Sequence, residues 1–234
     1  MLKITIPCLQ CNPKGNFFTF DFIPTNDCFR EIYCPEGHLI SINVLYHEFQ
    51  LLFEVAINGM VDKYYREAIG SFTASYERFL ELFIRIVLVS NKIPTKSVEM
   101  SWKLVSKQSE RQLGAFIYVY TTHFSTAPKL ISSQNTALRN KVVHQGYFPD
   151  LQECIKYGTD ILEIMRGCIR ILFESDKYRD ELTRSINDRG KYALGLPTVT
   201  LYPYSLVSTN ANLSLDNGTI EDFMDSIRRT RELS

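Results

Sequence analysis

Between Asn43 and Asn91 apolar side chains recur at three- and four-residue steps. The first set is Val44, Phe49, Leu52, Val55, Ala56, Met60, Val61 and Tyr64; Ile69, Phe72, Tyr76, Phe79, Leu80, Phe83, Ile84 and Val87 continue it. Such spacing returns side chains to one face of a 3.6-residue repeat, so the whole stretch predicts amphipathic helix. Gly59 and Gly70 leave open whether this is one bent helix or two. Pro94 ends the run, because a proline pushes its predecessor out of helical geometry. A short helix is predicted around Met100, Trp102 and Val105. Ser109 then offers an N-cap, with Gln112 at the capping-box position, to a helix whose apolar face includes Leu113, Phe116, Ile117 and Tyr120. A further helix starts near Lys129 and stops at Gly146; Asp150 caps the next, which buries Leu151, Cys154, Ile155, Ile161, Leu162, Met165, Cys168, Ile169 and Leu172. Residues 176–193 read as a charged helical extension.

The two ends have a different texture. In residues 1–42 the short β-type runs Phe17–Ile23 and Leu39–Ile42 are divided by Pro, Gly and Asn turns. Beyond Gly195, the run Pro197–Tyr204 is β-like but carries two prolines, which suits an edge strand or an extended arm. A short helix over 219–232 follows, and its Arg228, Arg229 and Arg231 read as a solvated helix end. The pattern therefore predicts a mainly α protein in three parts: a small β module at 1–42, a helical bundle at 43–194 and an irregular C-terminal arm at 195–234.

Charge narrows the function classes. The 26 Lys and Arg residues balance the 26 Asp and Glu residues, so no global field draws nucleic acid and any RNA site must be a local patch. Met1–Cys8 lacks the uninterrupted apolar stretch of a signal peptide, and the early cysteines suit a reducing compartment; a cytoplasmic protein is expected. The strongest apolar run, Phe79–Val89, is interrupted by Glu81 and Arg85 and is too short to span a bilayer, so no membrane role is expected.

Four of the six cysteines lie before residue 43. Cys8-x2-Cys11 and Cys34-Pro35-Glu36-Gly37-His38 have the look of two metal-binding knuckles, each a tight turn converging two ligands. The arrangement resembles a zinc ribbon with the ligand set Cys8, Cys11, Cys34 and His38, although Cys-x2-Cys is the commoner second knuckle and Cys28 could replace one member. The alternative is a set of reduced, partly buried thiols in a small sheet. With four protein ligands the zinc would be coordinatively closed and hence structural, holding together a module too small for a core of its own. Such ribbons also bind nucleic acid or protein partners, and Lys3, Lys14 and Arg30 are too sparse to decide which. Cys154 and Cys168 share one apolar stripe and read as small core hydrophobes.

The second concentration of chemistry is Ala137-Leu138-Arg139-Asn140-Lys141-Val142-Val143-His144-Gln145-Gly146. On a helix Arg139, Asn140 and His144 stand at roughly 0°, 100° and 140°, one polar arc, with Leu138 and Val142 towards the other side. A guanidinium, an amide and an imidazole can hold a phosphate and move a proton. A bland reading of the same residues is a helix end at which His144 and Lys141 complement the dipole. The string Arg-Asn-x-Val-Val-His-x-Gly, following long amphipathic helices, resembles the Arg-x4–6-His signature of HEPN domains. Ser109-Glu110-Arg111-Gln112-Leu113-Gly114-Ala115-Phe116 looks like the helix start seen in one branch of that family, and the resemblance as a whole covers roughly residues 43 to 175.

The resemblance implies a metal-independent endoribonuclease, often a homodimer with two motif helices facing across a shared cleft. It implies catalytic roles for Arg139, Asn140 and His144 on an RNA substrate, no catalytic cofactor, and a setting in bacterial antiviral defence or toxin-like growth arrest under a regulatory protein partner. Glu77, on an early helix, can reach Arg139 across such a bundle as a supporting residue, or can simply belong to a solvated charge pattern with Glu81 and Arg85. The competing class is a non-catalytic dimeric adaptor for RNA or protein, in which the ribbon recruits a partner and the motif is structural. Burial separates the two: an Arg139 and His144 sealed inside a monomer core would favour the adaptor.

Overall fold

A computed structural model of the chain describes residues 2–11, 17–22, 25, 27–191, 198–201 and 218–232. Lys14, Ile23, Pro197 and Tyr202–Tyr204 of the sequence reading lie outside the described residues. Eight helices against five short strands among the described residues make the protein mainly helical. The strands are β1 (Leu2–Pro7), β2 (Phe17–Phe22), β3 (Phe29–Tyr33), β4 (Leu39–Val44) and β5 (Thr198–Leu201). The helices are α1 (Glu48–Val61), α2 (Tyr65–Ser90), α3 (Thr95–Val105), α4 (Ser109–Phe124), α5 (Ser133–Gln145), α6 (Leu151–Phe173), α7 (Asp176–Asn187) and α8 (Ile220–Glu232). No helix among the described residues is long and apolar enough to cross a membrane.

The chain forms two compact units, Met1–His47 with Arg184–Tyr204, and Glu48–Thr183 with Ser205–Ser234. β5 falls in the first unit and α8 in the second. In the first unit β1 and β2 pair antiparallel, with Ile4 opposite Phe20, and a second sheet has the order β3-β4-β5. β3 runs antiparallel to β4, whereas β5 joins its other edge in parallel, Ile42 opposite Val199. Two polar side chains of β4, both fully buried, make this addition specific. Ser41 shares a 2.6 Å hydrogen bond with Thr198, and the Asn43 amide donates to the Lys191 carbonyl at 2.6 Å while accepting from its N–H at 3.0 Å. Buried polar groups are tolerated when so matched.

In the second unit the long apolar stretch is two helices. Lys63, at φ 64°, turns the chain, and the Tyr64 N–H donates to the Gly59 carbonyl at 2.7 Å. α2 is the central rod and its apolar surface is used up inside the chain. Phe53 and Phe49 of α1 meet its Phe72 and Phe79 edge-on, at ring separations of 4.8 and 5.2 Å. Phe83 takes Phe116 and Tyr120 of α4, at 5.2 and 5.7 Å. Leu138 and Val142 of α5 and the buried stripe of α6 complete the same core, in which Cys154 and Cys168 are ordinary members. Burial pushes both thiols up to about 12, so they stay protonated and inert.

α8 belongs to this core through Ile220 and Met224. Its basic end is tied down: Arg231 pairs with Asp62, and with Asn58 at 2.9 Å, while Arg228 reaches Asp225 at 2.7 Å. Gly158 makes the docking possible, since a Cβ there would lie 2.7 Å from both Ile220 Cδ1 and Phe72 Cζ. Gly158→Ala is therefore expected to cost about 1–3 kcal/mol by overpacking. The measurement is the urea midpoint at constant slope, and an unchanged midpoint would mean that both side chains step aside freely.

Candidate functional site

Cys8 directly follows β1 and its partner knuckle follows β3, so two antiparallel pairs deliver four ligand atoms to one point. The Sγ atoms of Cys8, Cys11 and Cys34 and a ring nitrogen of His38 all lie within 4.8 Å of one another. Each knuckle is closed by its own backbone. The Cys11 N–H points at Cys8 Sγ and the His38 N–H at Cys34 Sγ, both at 3.4 Å. Gly37, at φ +82°, supplies the left-handed residue that the second turn needs.

The spacings suit a tetrahedral cation. Bonds of about 2.3 Å to sulfur and about 2.05 Å to nitrogen imply S–S edges of about 3.8 Å and S–N edges of about 3.6 Å in a zinc tetrahedron. Cys11 and Cys34 are 3.4 Å apart, and His38 Nδ1 stands 3.9, 3.2 and 3.6 Å from Cys8, Cys11 and Cys34. Electrostatics agree with the geometry. Burial pushes the Cys8 and Cys34 thiols up, but hydrogen bonds from the knuckle N–H groups and from Cys11 hold both below the usual thiol range. Cys11, bonded to Cys8 and then desolvated, is pushed up to about 12. Deprotonating all three sulfurs at this spacing requires a counter-charge, and a divalent cation is the natural one. Cys28 is outside the group; its sulfur accepts from Arg189 Nε at 3.5 Å.

The Arg139 site is built in the second unit by α2, α4 and α5. α5 is capped at one end by Ser132, whose side chain accepts from the Asn135 N–H, and ends at Gly146 in the left-handed conformation. Its N-terminus is anchored to α6, because Asp160 accepts from the Ser132 N–H at 2.8 Å and from the buried Asn135 amide at 3.0 Å. Leu138 and Val142 face the core, which puts Arg139 at the rim and leaves Asn140 and His144 exposed. The Arg139 side chain keeps 21% of its accessible surface, so it is neither sealed nor loose.

Arg139 Nη1 donates to Asn140 Oδ1 at 3.1 Å, and Nη2 donates to Ser109 Oγ at 3.4 Å. Ser109 in turn donates to Glu77 Oε1 at 2.6 Å, and that oxygen lies 4.0 Å from Arg139 Nη2. Glu77 therefore turns to α4 and α5, while its neighbours pair elsewhere, Arg78 with Glu81 at 2.5 Å and Arg85 with Glu99 at 3.5 Å. Tyr157, hydrogen-bonded to Thr73 at 2.9 Å, is close enough to feel the charges of Arg139 and Glu77; burial pushes its hydroxyl up to about 12, so it stays neutral.

One expectation fails here. Ser109 does not cap α4: the N-cap is Gln108, with no side-chain capping bond, and Gln112 is buried with its amide on the Ser106 carbonyl at 2.7 Å. The serine hydroxyl is instead committed to Glu77. No local signal marks that choice, because the partners are 32 and 30 residues away.

No protein-family model, curated protein or solved structure matches the chain.

Proposed function

We propose that the protein is an endoribonuclease of the HEPN type that cleaves RNA by attack of the substrate's own 2′-hydroxyl, with one structural zinc in its N-terminal module. The carrying observation is that Arg139, only partly exposed, is held by neighbours through two of its N–H groups while His144 stands exposed on the same helix. Neither is sealed in the core, which supports an enzyme over an adaptor.

In this reading the His144 imidazole removes the 2′-hydroxyl proton as the 2′-oxygen bonds to phosphorus. The bond to the 5′-oxygen breaks, and that oxygen takes a proton from a second imidazole. Arg139 stabilises the charge on the non-bridging oxygens, and Asn140, already bonded to Arg139, orients guanidinium or phosphate. The products end in a 2′,3′-cyclic phosphate and a 5′-hydroxyl. The nucleophile comes with the substrate, so this chemistry needs no metal. A zinc held by Cys8, Cys11, Cys34 and His38 has no open position and serves the fold. Restrained cleavage in bacterial defence or growth arrest, under a regulatory partner, is the setting proposed.

One histidine per chain on this motif helix argues for a homodimer, since an isologous pair brings acid and base together. The support comes from the end of α5, where Val143, Tyr147 and Phe148 flank His144 and keep 44%, 40% and 78% exposure. Apolar side chains gathered around a polar site are what a second copy would cover. The α2 helix offers no such surplus, its faces being consumed within the chain. Light scattering is expected to give twice the 27.1 kDa of one chain, and Phe148→Asp to halve the mass and depress cleavage. A wild type that stays at one chain's mass over a wide concentration range would rule the shared site out.

A further inference from the structure

The ribonuclease reading accounts for Arg139, Asn140 and His144 but leaves the serine between Arg139 and Glu77 unused. We infer that Ser109 is a positioning residue: its hydroxyl, oriented by Glu77, fixes the plane of the Arg139 guanidinium. The inference rests on that reading for its catalytic consequence, though not for the positioning itself.

A serine hydroxyl has one proton and two lone pairs. Its short bond to Glu77, 2.6 Å, commits the proton, so only lone pairs can face the Arg139 Nη2 at 3.4 Å. The direction of both bonds is thereby set. Glu77 alone, 4.0 Å from Nη2, is too far for a hydrogen bond and would leave that edge of the guanidinium without one. The serine converts a loose ion pair between α2 and α5 into a linked one.

Charge points the same way. Ser109 is the first residue of α4, so Arg139 stands beside a helix N-terminus, where the dipole favours anions and disfavours a cation. Glu77, 4.0 Å from Nη2, supplies the compensating negative charge. At the other edge Nη1 is held by Asn140. Two of the five N–H groups of a guanidinium are then engaged, and the remaining three make no hydrogen bond among the described residues. A phosphate approaching the exposed part of the side chain meets an aligned fork.

The test reads position and catalysis separately in the full chain. With 15N-labelled arginine, the Nη2 protons of Arg139 are expected to be resolved at low temperature in the wild type, averaged in Ser109→Ala, and resolved again in Ser109→Thr, which restores the hydroxyl. Identical spectra for wild type and Ser109→Ala would overturn the inference whether or not the protein cuts RNA. In cleavage assays Ser109→Ala is expected to lose about tenfold to a hundredfold, the scale of a misplaced reacting group. In an Arg139→Ala background the same change should cost nothing further. Full additivity of the two losses would also overturn it, since a merely structural serine would act regardless of Arg139. A wild type inactive on RNA but showing the Ser109-dependent spectrum would remove the ribonuclease reading and leave the positioning role standing.

Discussion

His144→Ala and Arg139→Ala should each lower RNA cleavage by at least about a hundredfold, the usual scale for losing a proton-transfer group or a charge stabiliser. His144 is exposed and Arg139 lies at the rim of the core, so neither change opens a cavity in the core. Circular dichroism and melting should therefore stay close to wild type for His144→Ala. Arg139→Ala also leaves Glu77 and Ser109 without their cation, so its fold needs the same check. Asn140→Ala should cost less, because water can take over part of an orienting amide's work. Activity should persist in EDTA as long as the structural metal is retained, and the products should carry cyclic-phosphate ends. A DNA strand of the same sequence should survive, as it lacks the 2′-hydroxyl. The decisive comparison is wild type against His144→Ala on one RNA. Equal cleavage by two folded proteins would mean that a contaminant or another site does the cutting.

Loss of the metal should have the largest effect on stability. Binding of a structural zinc by Cys and His ligands is worth about 10–16 kcal/mol in zinc-finger peptides at neutral pH, and in small modules that is folding free energy. Freshly purified protein is expected to carry about one zinc per chain. Cys34→Ser should lose it, because Cys34 is buried and lies 3.4 Å from Cys11 and 3.6 Å from His38. Cys28→Ser should keep it, since that sulfur faces Arg189 and is not among the four. Chelation should strip hydrogen-exchange protection from β1 to β4 before it touches α2 and α6, whose core holds no metal ligand. A protein that purifies without zinc, or a β module whose protection ignores the chelator, would return Cys8, Cys11 and Cys34 to the status of buried thiols.

The features legible in the sequence are those that neighbours along the chain decide. Asp150 caps α6 and Glu153 reaches back to the Asp150 N–H, because a capping box involves residues three apart. Gly146 ends α5 because only its own φ, +70°, is at stake. The close gathering of Cys8, Cys11, Cys34 and His38 was foreshadowed by two short turns, each of which aligns its own pair. The apolar steps of α2 and α6 likewise named the core faces, since helical periodicity is a local property.

What the tertiary structure decided are choices between partners distant in sequence. Thr198–Leu201 could have been a free arm, and becomes a parallel strand only because Ser41 and Asn43 meet Thr198 and Lys191 across about 150 residues. The apolar faces of α2 do not name their partners, which the fold supplies from α1, α4, α5 and α6 within the chain. Ser109 carried a capping pattern that any reading of its neighbours would accept. In the folded bundle, however, its proton goes to the Glu77 carboxylate at 2.6 Å and its oxygen faces Arg139 Nη2 at 3.4 Å, partners on other helices that no reading of its own helix could supply.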